Sequence, residues 1–102
     1  MQIFLISDNS DTAMGFRLIG VAGVVVHSKE EFENEIYSAL ENKKIGLLLI
    51  TEGLVESYSE LVYSLKYYRH TIIVQIPDRH GSKKSASDVI GGYLKNALGV
   101  SL

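Results

Sequence analysis

Short apolar runs alternate with segments of helical periodicity along most of this chain. Four of these runs are rich in leucine and β-branched residues: 3–6, 24–26, 45–51 and 71–76. Continuous apolar runs of this length are typical of parallel strands, which crossover helices bury on both faces. Strands that alternate with helices favour right-handed β-α-β units. The pattern therefore predicts an α/β fold with a four-stranded parallel sheet in the order 2-1-3-4 and helices on both faces.

The helix after the first run has apolar side chains on two of its sides. The polar turn before it offers three candidates for its N-cap: Asp8, Ser10 and Asp11. Met14 and Leu18 are four residues apart and share one side, whereas Phe16 and Ile19 lie on another. Because a sheet covers only one side of such a helix, we expect part of this surface to contact another protein.

Two positions carry clear signals for helix ends. Gly20 is a plausible C-terminal cap for the first helix, because glycine tolerates a left-handed backbone. Ser28 and Glu31 form the pattern of a capping box at the start of the second helix. The expected inner face of that second helix comprises Phe32, Ile36, Ala39 and Leu40.

A third helix is predicted to open at residues 52–53, with a tyrosine pair away from its core side. Its inner face comprises Leu54, Tyr58, Leu61, Val62 and Leu65, and the separate i, i+4 pair is Tyr63 and Tyr67. A last helix, from about residue 85 or 87 to 98, carries apolar residues over about half of its circumference. These are Ala86, Val89, Ile90, Tyr93, Leu94, Ala97 and Leu98. Such a wide face indicates docking on another chain, although packing on its own sheet stays open.

The composition excludes several classes of function. The chain has 102 residues and a net charge of -2, so we expect one domain without the basic surface of a nucleic-acid binder. It contains no cysteine, which excludes disulfides and thiolate metal sites. Its apolar runs are too short for a signal peptide or a membrane span. We expect a single domain at 1–102, with an α/β core at about 1–77 and a loop and C-terminal helix at about 78–102.

The predicted sheet leaves one place for a ligand, the crevice where the strand order reverses. Residues 7–8 and 51–52 border that crevice. The first turn is acidic and lacks the glycines of a nucleotide-binding loop, so it would repel phosphate. The histidines are scattered, and no serine lies in a nucleophile elbow. We therefore expect no catalytic residue, metal or cofactor.

A phospho-accepting receiver domain is the alternative hypothesis, because it shares the flavodoxin-like architecture. In that case Asp8, Asp11 and Glu52 would form an acidic pocket for a signalling or interaction module. A receiver needs an aspartate at the end of the third strand, with carboxylates nearby to hold Mg²⁺. Thr51-Glu52 stands at that position instead.

Four segments of the chain, at 15–20, 45–52, 76–77 and 95–99, together resemble motifs of the F subunits of V-type and archaeal-type ATPases. Residues 15–20, Gly-Phe-Arg-Leu-Ile-Gly, are similar to the family's G-F-x-L-A-G helix. Residues 45–52 resemble its I-G-I-I-x-I-T-E strand, and Ile76-Pro77 and the segment 95–99 follow in the family's order. The combination spans nearly the whole chain. Ile19 replaces the usual alanine, and the loop 78–80 departs from the common form.

The resemblance implies a non-catalytic rotor subunit of the central stalk. In the family, the F subunit binds the coiled-coil axle, which is the D subunit, and the pair turns inside the hexamer of A and B subunits. The resemblance thus implies a cytoplasmic chain, peripheral to the membrane, that helps couple ATP hydrolysis or synthesis to proton or sodium transport. For the interface with the axle we predict Phe16, Arg17, Tyr63, Tyr67, Ile90, Tyr93, Leu94 and Leu98.

Overall fold

A four-stranded parallel sheet organises the structure, a computed structural model that describes residues 1–66 and 70–77. In chain order, the described part contains β1 (Gln2–Ser7), α1 (Ser10–Leu18), β2 (Ala22–Val25), α2 (Lys29–Glu41), β3 (Ile45–Thr51), α3 (Glu52–Ser57), α4 (Ser59–Leu65) and β4 (Ile72–Ile76). The strands lie in the order β2-β1-β3-β4, and each neighbouring pair is parallel. The predicted α/β fold and strand order are confirmed.

The two inner strands, β1 and β3, are the most buried strands of the sheet. Ile6 pairs with Ile50 across these strands, and both side chains have no exposed surface. Parallel strands at the centre of a sheet are covered on both faces, which explains why their sequences do not alternate between apolar and polar residues.

The sheet separates two hydrophobic cores. On one face, α2, α3 and α4 contribute to a cluster that contains Ile6, Val26, Phe32, Ile36, Ala39, Leu40, Ile45, Leu48, Ile50, Leu54, Val55, Val62 and Leu65. On the other face, α1 contributes to a smaller cluster of Leu5, Phe16, Val21, Leu47, Leu49 and Ile76. The inner face predicted for α2 is confirmed, because all four of its residues are buried in the larger cluster.

The predicted third helix is two helices, which corrects the sequence-based expectation. Tyr58 interrupts it with φ -126° and ψ 41°, outside the helical region. The Tyr58 ring stacks on Phe32, with ring centroids 5.2 Å apart. Serines flank the break at positions 57 and 59, and serine competes with the helical backbone for hydrogen bonds. The break therefore occurs where helix propensity is low and an aromatic contact in the core is gained.

Smaller differences concern strand limits. The second strand begins at Ala22 and ends at Val25, earlier than the predicted run at 24–26, because the preceding turn is short. The predicted loop and helix at about 78–102 lie outside the described residues, as does Tyr67. Within the described residues, no helix has the length and apolar character needed to cross a membrane.

Candidate partner interface

Helix α1 is fixed at its start by a cap that the sequence analysis missed. The Asn9 side chain accepts hydrogen bonds from the backbone N–H groups of Asp11 (2.8 Å) and Thr12 (3.1 Å). Asn9 is therefore the N-cap, and the predicted caps Asp8, Ser10 and Asp11 are wrong. Asparagine is as good a cap as aspartate or serine, so residue type alone could not choose among these neighbours.

Asp8 instead joins the ends of β1 and β3. The Thr51 hydroxyl donates to the Asp8 carboxylate at 3.0 Å and accepts from the Asp8 backbone N–H at 3.3 Å. Thr51 is 1% exposed. A buried hydroxyl thus links β1 and β3 at the place where the strand order reverses, which is the switch point of the sheet. Residues 1–66 and 70–77 contain no group of three or more His, Cys, Asp or Glu arranged to hold a metal ion.

Helix α1 ends in a Schellman motif around Gly20. The Gly20 N–H donates to the Arg17 carbonyl at 3.0 Å, and the Val21 N–H donates to the Phe16 carbonyl at 3.0 Å. Gly20 has φ +92°, which confirms the predicted role of this glycine. Phe16 and Val21 also share the hydrophobic cluster beneath α1. The motif thus turns the chain sharply into β2 and places Val21 beside Phe16 in the smaller core.

The two predicted contact residues of α1 differ in their accessibility. Phe16 is 2% exposed and packs inside the smaller cluster, so its side chain offers almost no surface to a partner. Arg17 is exposed in the last turn of α1. The apolar surface that α1 does present comes from Met14, Leu18 and Ile19, which are 64%, 82% and 42% exposed. Sequence reasoning recognised apolar residues on two sides of α1, but it could not tell that Phe16 lies against the sheet while Met14 and Leu18 face solvent.

Tyr63 provides a second exposed surface, on α4. Its side chain is 67% exposed, and the Lys66 Nζ lies 6.0 Å from the centre of its ring. Beside it is a groove of about 120 Å³. The groove is lined by Val55, Val62, Tyr63, Lys66, Ile73 and Gln75. An exposed aromatic ring next to a partly apolar groove is a suitable anchor for a protein contact.

The structure does not bring Arg17 and Tyr63 together. Helix α1 packs on the face of the smaller cluster, whereas α4 packs on the face of the larger one. A partner that contacts both residues must therefore reach from one face of the sheet to the other. The other predicted contact residues, Tyr67, Ile90, Tyr93, Leu94 and Leu98, lie outside the described residues.

Comparison with known proteins gives one consistent result across the chain. Residues 3–93 match the family model described as ATP synthase (F/14-kDa) subunit. The A-type ATP synthase F subunit of Pyrococcus furiosus is 36% identical over 107 residues, covering 100% of this chain and 98% of that protein. The corresponding F subunit of Methanocaldococcus jannaschii is 33% identical over 103 residues, covering 100% and 99%. The chain therefore belongs to the family of F subunits of V-type and archaeal A-type ATP synthases.

Proposed function

We propose that this chain is the central-stalk F subunit of a rotary ATPase and that it binds the axle, the D subunit. The single observation that carries the proposal is the similarity to A-type F subunits over the whole chain, from the first strand to the last residues. Within such a complex the chain contributes contacts rather than chemistry. Its role is to help couple ATP hydrolysis or synthesis in the hexamer of A and B subunits to proton or sodium transport.

The exposed apolar residues support a role in protein contact. Met14, Leu18 and Tyr63 are each more than 60% exposed. Large apolar side chains at this level of exposure are stabilised when a partner removes them from water, at about 25 cal/mol per Å². We propose Tyr63 as an anchor for the axle, together with Tyr67, Ile90, Tyr93, Leu94 and Leu98. Arg17 supports the contact from the side of α1.

Phe16 enters this proposal only as a positioning residue. Its buried ring holds α1 on the sheet, and this packing orients the neighbouring Arg17 and Leu18 toward solvent. A change at Phe16 would then weaken binding to the axle through loss of folding stability. A change at Tyr63 would weaken binding while the fold stays intact.

Co-purification with the axle tests the proposal. The chain is mixed with the D subunit of its own complex, and a stable one-to-one complex is expected in gel filtration. Tyr63→Ala should weaken the affinity by about 1–3 kcal/mol if Tyr63 is an anchor. Tyr37→Ala is the matched control, because Tyr37 is also an exposed helical tyrosine, at 49%, but lies on α2. If no complex forms with the unaltered chain, the proposed function is wrong.

A second measurement addresses coupling. Addition of the chain together with the axle to a hexamer of A and B subunits should raise its ATP hydrolysis rate, whereas the chain alone should hydrolyse no ATP. Hydrolysis by the isolated, pure chain would contradict the non-catalytic role. Binding to the axle without any effect on the hexamer would contradict the proposed coupling function but not the stalk position.

A further inference from the structure

The outer edge of β2 is short, at four residues, but it lacks the charges and prolines that usually prevent edge strands from pairing. Residues 21–26 read Val-Ala-Gly-Val-Val-Val, without a charge or a proline. Edge strands of soluble monomers usually carry lysine, proline or a bulge for this purpose. In the described part of the chain, β2 pairs only with β1. Within residues 1–66 and 70–77, no strand pairs with its other edge, which can accept a further strand.

The direction of the free backbone groups follows from the ladder between β1 and β2. The Val26 N–H donates to the Ser7 carbonyl at 2.8 Å. In a parallel ladder, the residues that bond to the same neighbour recur at every second position. Ala22 and Val24 therefore face β1 with Val26, whereas Gly23 and Val25 turn their N–H and C=O groups outward. Gly23 and Val25 therefore offer their outward N–H and C=O groups to a further strand.

We propose that the free chain pairs with a second copy of itself through β2, in an antiparallel arrangement. A twofold axis at Val24 would place Gly23 of one copy opposite Val25 of the other. Each such pair exchanges two main-chain hydrogen bonds in an antiparallel ladder, so the twofold symmetry gives four bonds. The four described strands of each copy then form one continuous sheet of eight strands, in which the side chains of the two β2 strands become cross-strand neighbours.

The distribution of charge selects the antiparallel arrangement and the second copy. Helices begin at the carboxyl ends of the strands, and acidic residues cluster there: Asp8, Asp11, Glu30, Glu31 and Glu52. Basic residues gather at the opposite ends of the strands: Arg17, Lys43, Lys44 and Lys66. Among the described residues, Lys29 and Glu41 are exceptions, one at each end, and the remaining glutamates lie along α2, α3 and α4: Glu33, Glu35, Glu56 and Glu60. Antiparallel pairing sets the basic end of one copy beside the acidic end of the other, twice, whereas a parallel arrangement would set like charges side by side.

The surface beside the edge also has room for the partner's side chains. A cavity of about 340 Å³ lies at the start of β2, lined by Phe4, Arg17, Gly20, Val21, Ala22 and Gly23. Gly23 itself has no side chain, and a Cβ there would approach the Leu5 carbonyl oxygen of β1 to 2.8 Å, so β1 and β2 lie too close for a larger residue at this position. Because β2 has only four residues, the interface should be small and the dimer weak, so that it dissociates on dilution.

Sedimentation equilibrium of the purified full chain tests this inference, which concerns the free chain and does not depend on the proposed stalk function. We expect a monomer–dimer equilibrium. Ala22→Lys should raise the dissociation constant at least about tenfold, because a lysine on the edge opposes pairing. The matched control is Ile72→Lys, at the first residue of the other edge strand, β4, which should change the constant less than about twofold. A chain that is monomeric at every concentration, or equal effects of the two lysines, would overturn the proposal.

Amide hydrogen exchange and a charge variant locate the contact. The outward N–H groups of Gly23 and Val25 should exchange more slowly as the chain concentration rises. If they stay unprotected in a dimer, the two copies meet elsewhere and the proposal is wrong. Arg17→Glu should weaken the dimer, and an unchanged constant would overturn the antiparallel arrangement. Protection of Gly23 and Val25 only when the axle is added would assign the edge to that partner instead of a second copy.

Discussion

The Thr51 hydroxyl lies 3.0 Å from the Asp8 carboxylate, and this contact ties together the carboxyl ends of the two central strands. The same hydroxyl accepts a hydrogen bond from the Asp8 backbone N–H, so the buried Thr51 side chain bonds to both the side chain and the main chain of Asp8. The switch point of an α/β sheet is where ligands bind in many proteins of this architecture. Here the two residues that border it bond to each other.

Removal of the Thr51 hydroxyl should therefore lower stability. Thr51→Val keeps the shape of the side chain but loses both hydrogen bonds, which should cost about 1–3 kcal/mol in the free energy of unfolding. Urea denaturation followed by circular dichroism measures this loss. Asp8→Asn is the milder comparison, because an amide oxygen still accepts from Thr51. If Thr51→Val were as stable as the unaltered chain, the contact would have no structural importance.

The cap of α1 can be tested by neighbouring substitutions. Asn9→Ala should lose about 1 kcal/mol of stability, because two backbone N–H groups of the first turn lose their acceptor. Ser10→Ala is the control, since Ser10 lies one residue further on and is already helical. Urea denaturation of both variants gives the comparison. Equal losses at the two positions would contradict the assignment of Asn9 as the cap.

The left-handed backbone of Gly20 makes a conformational prediction. Apart from Gly20 and its two chain neighbours, no atom of the described residues lies within 4 Å of the position that a Cβ would occupy, so space does not limit the size of the residue there. Gly20→Ala should still destabilise the fold by about 1 kcal/mol, because alanine is strained at φ +92°. Gly20→Asn should lose less, since asparagine tolerates this conformation better. Thermal unfolding should rank the stabilities as glycine, asparagine and then alanine, and any other order would count against the Schellman motif.

The two sides of α1 should respond very differently to truncation. Phe16→Ala removes a buried ring from the smaller core and should cost about 3–5 kcal/mol in the free energy of unfolding. Leu18→Ala changes a side chain that is 82% exposed and should shift stability by no more than about 0.5 kcal/mol. Chemical denaturation of the two variants measures the contrast. Similar losses would mean that Leu18 is covered in solution.

The pattern of apolar residues predicted the sheet well because the apolar runs of its strands stand out clearly from the helical segments. The runs at 3–6 and 45–51 are too short and too apolar for surface helices, and they became the two central strands. The capping box at Ser28 and Glu31 was equally clear. The Ser28 side chain accepts from the Glu31 N–H at 3.1 Å, and the Glu31 carboxylate accepts from the His27 N–H at 3.1 Å. Such features depend on neighbours in the sequence, so the sequence alone defines them.

The features that were missed depend on contacts between distant residues. The break at Tyr58 follows from the stack of its ring on Phe32, which is 26 residues earlier in the chain. The choice between Phe16 and Leu18 as the inner side of α1 depends on which way the helix lies on β1 and β2. Both sides are apolar, so the helical wheel cannot decide between them. The candidate interface was least predictable for the same reason, since exposure is a property of the fold.

The sheet divides the interior into two separate cores, and this division affects how the protein can accept substitutions during evolution. The two hydrophobic clusters have no residue in common, and the backbone of the sheet lies between them. Substitutions that share no partners add almost independently in their effects on stability, within about 0.3–0.5 kcal/mol. A double variant such as Phe16→Ala with Ile36→Val should therefore show little thermodynamic coupling. One side of the molecule can then diverge to follow a changing neighbour while the other side keeps its packing.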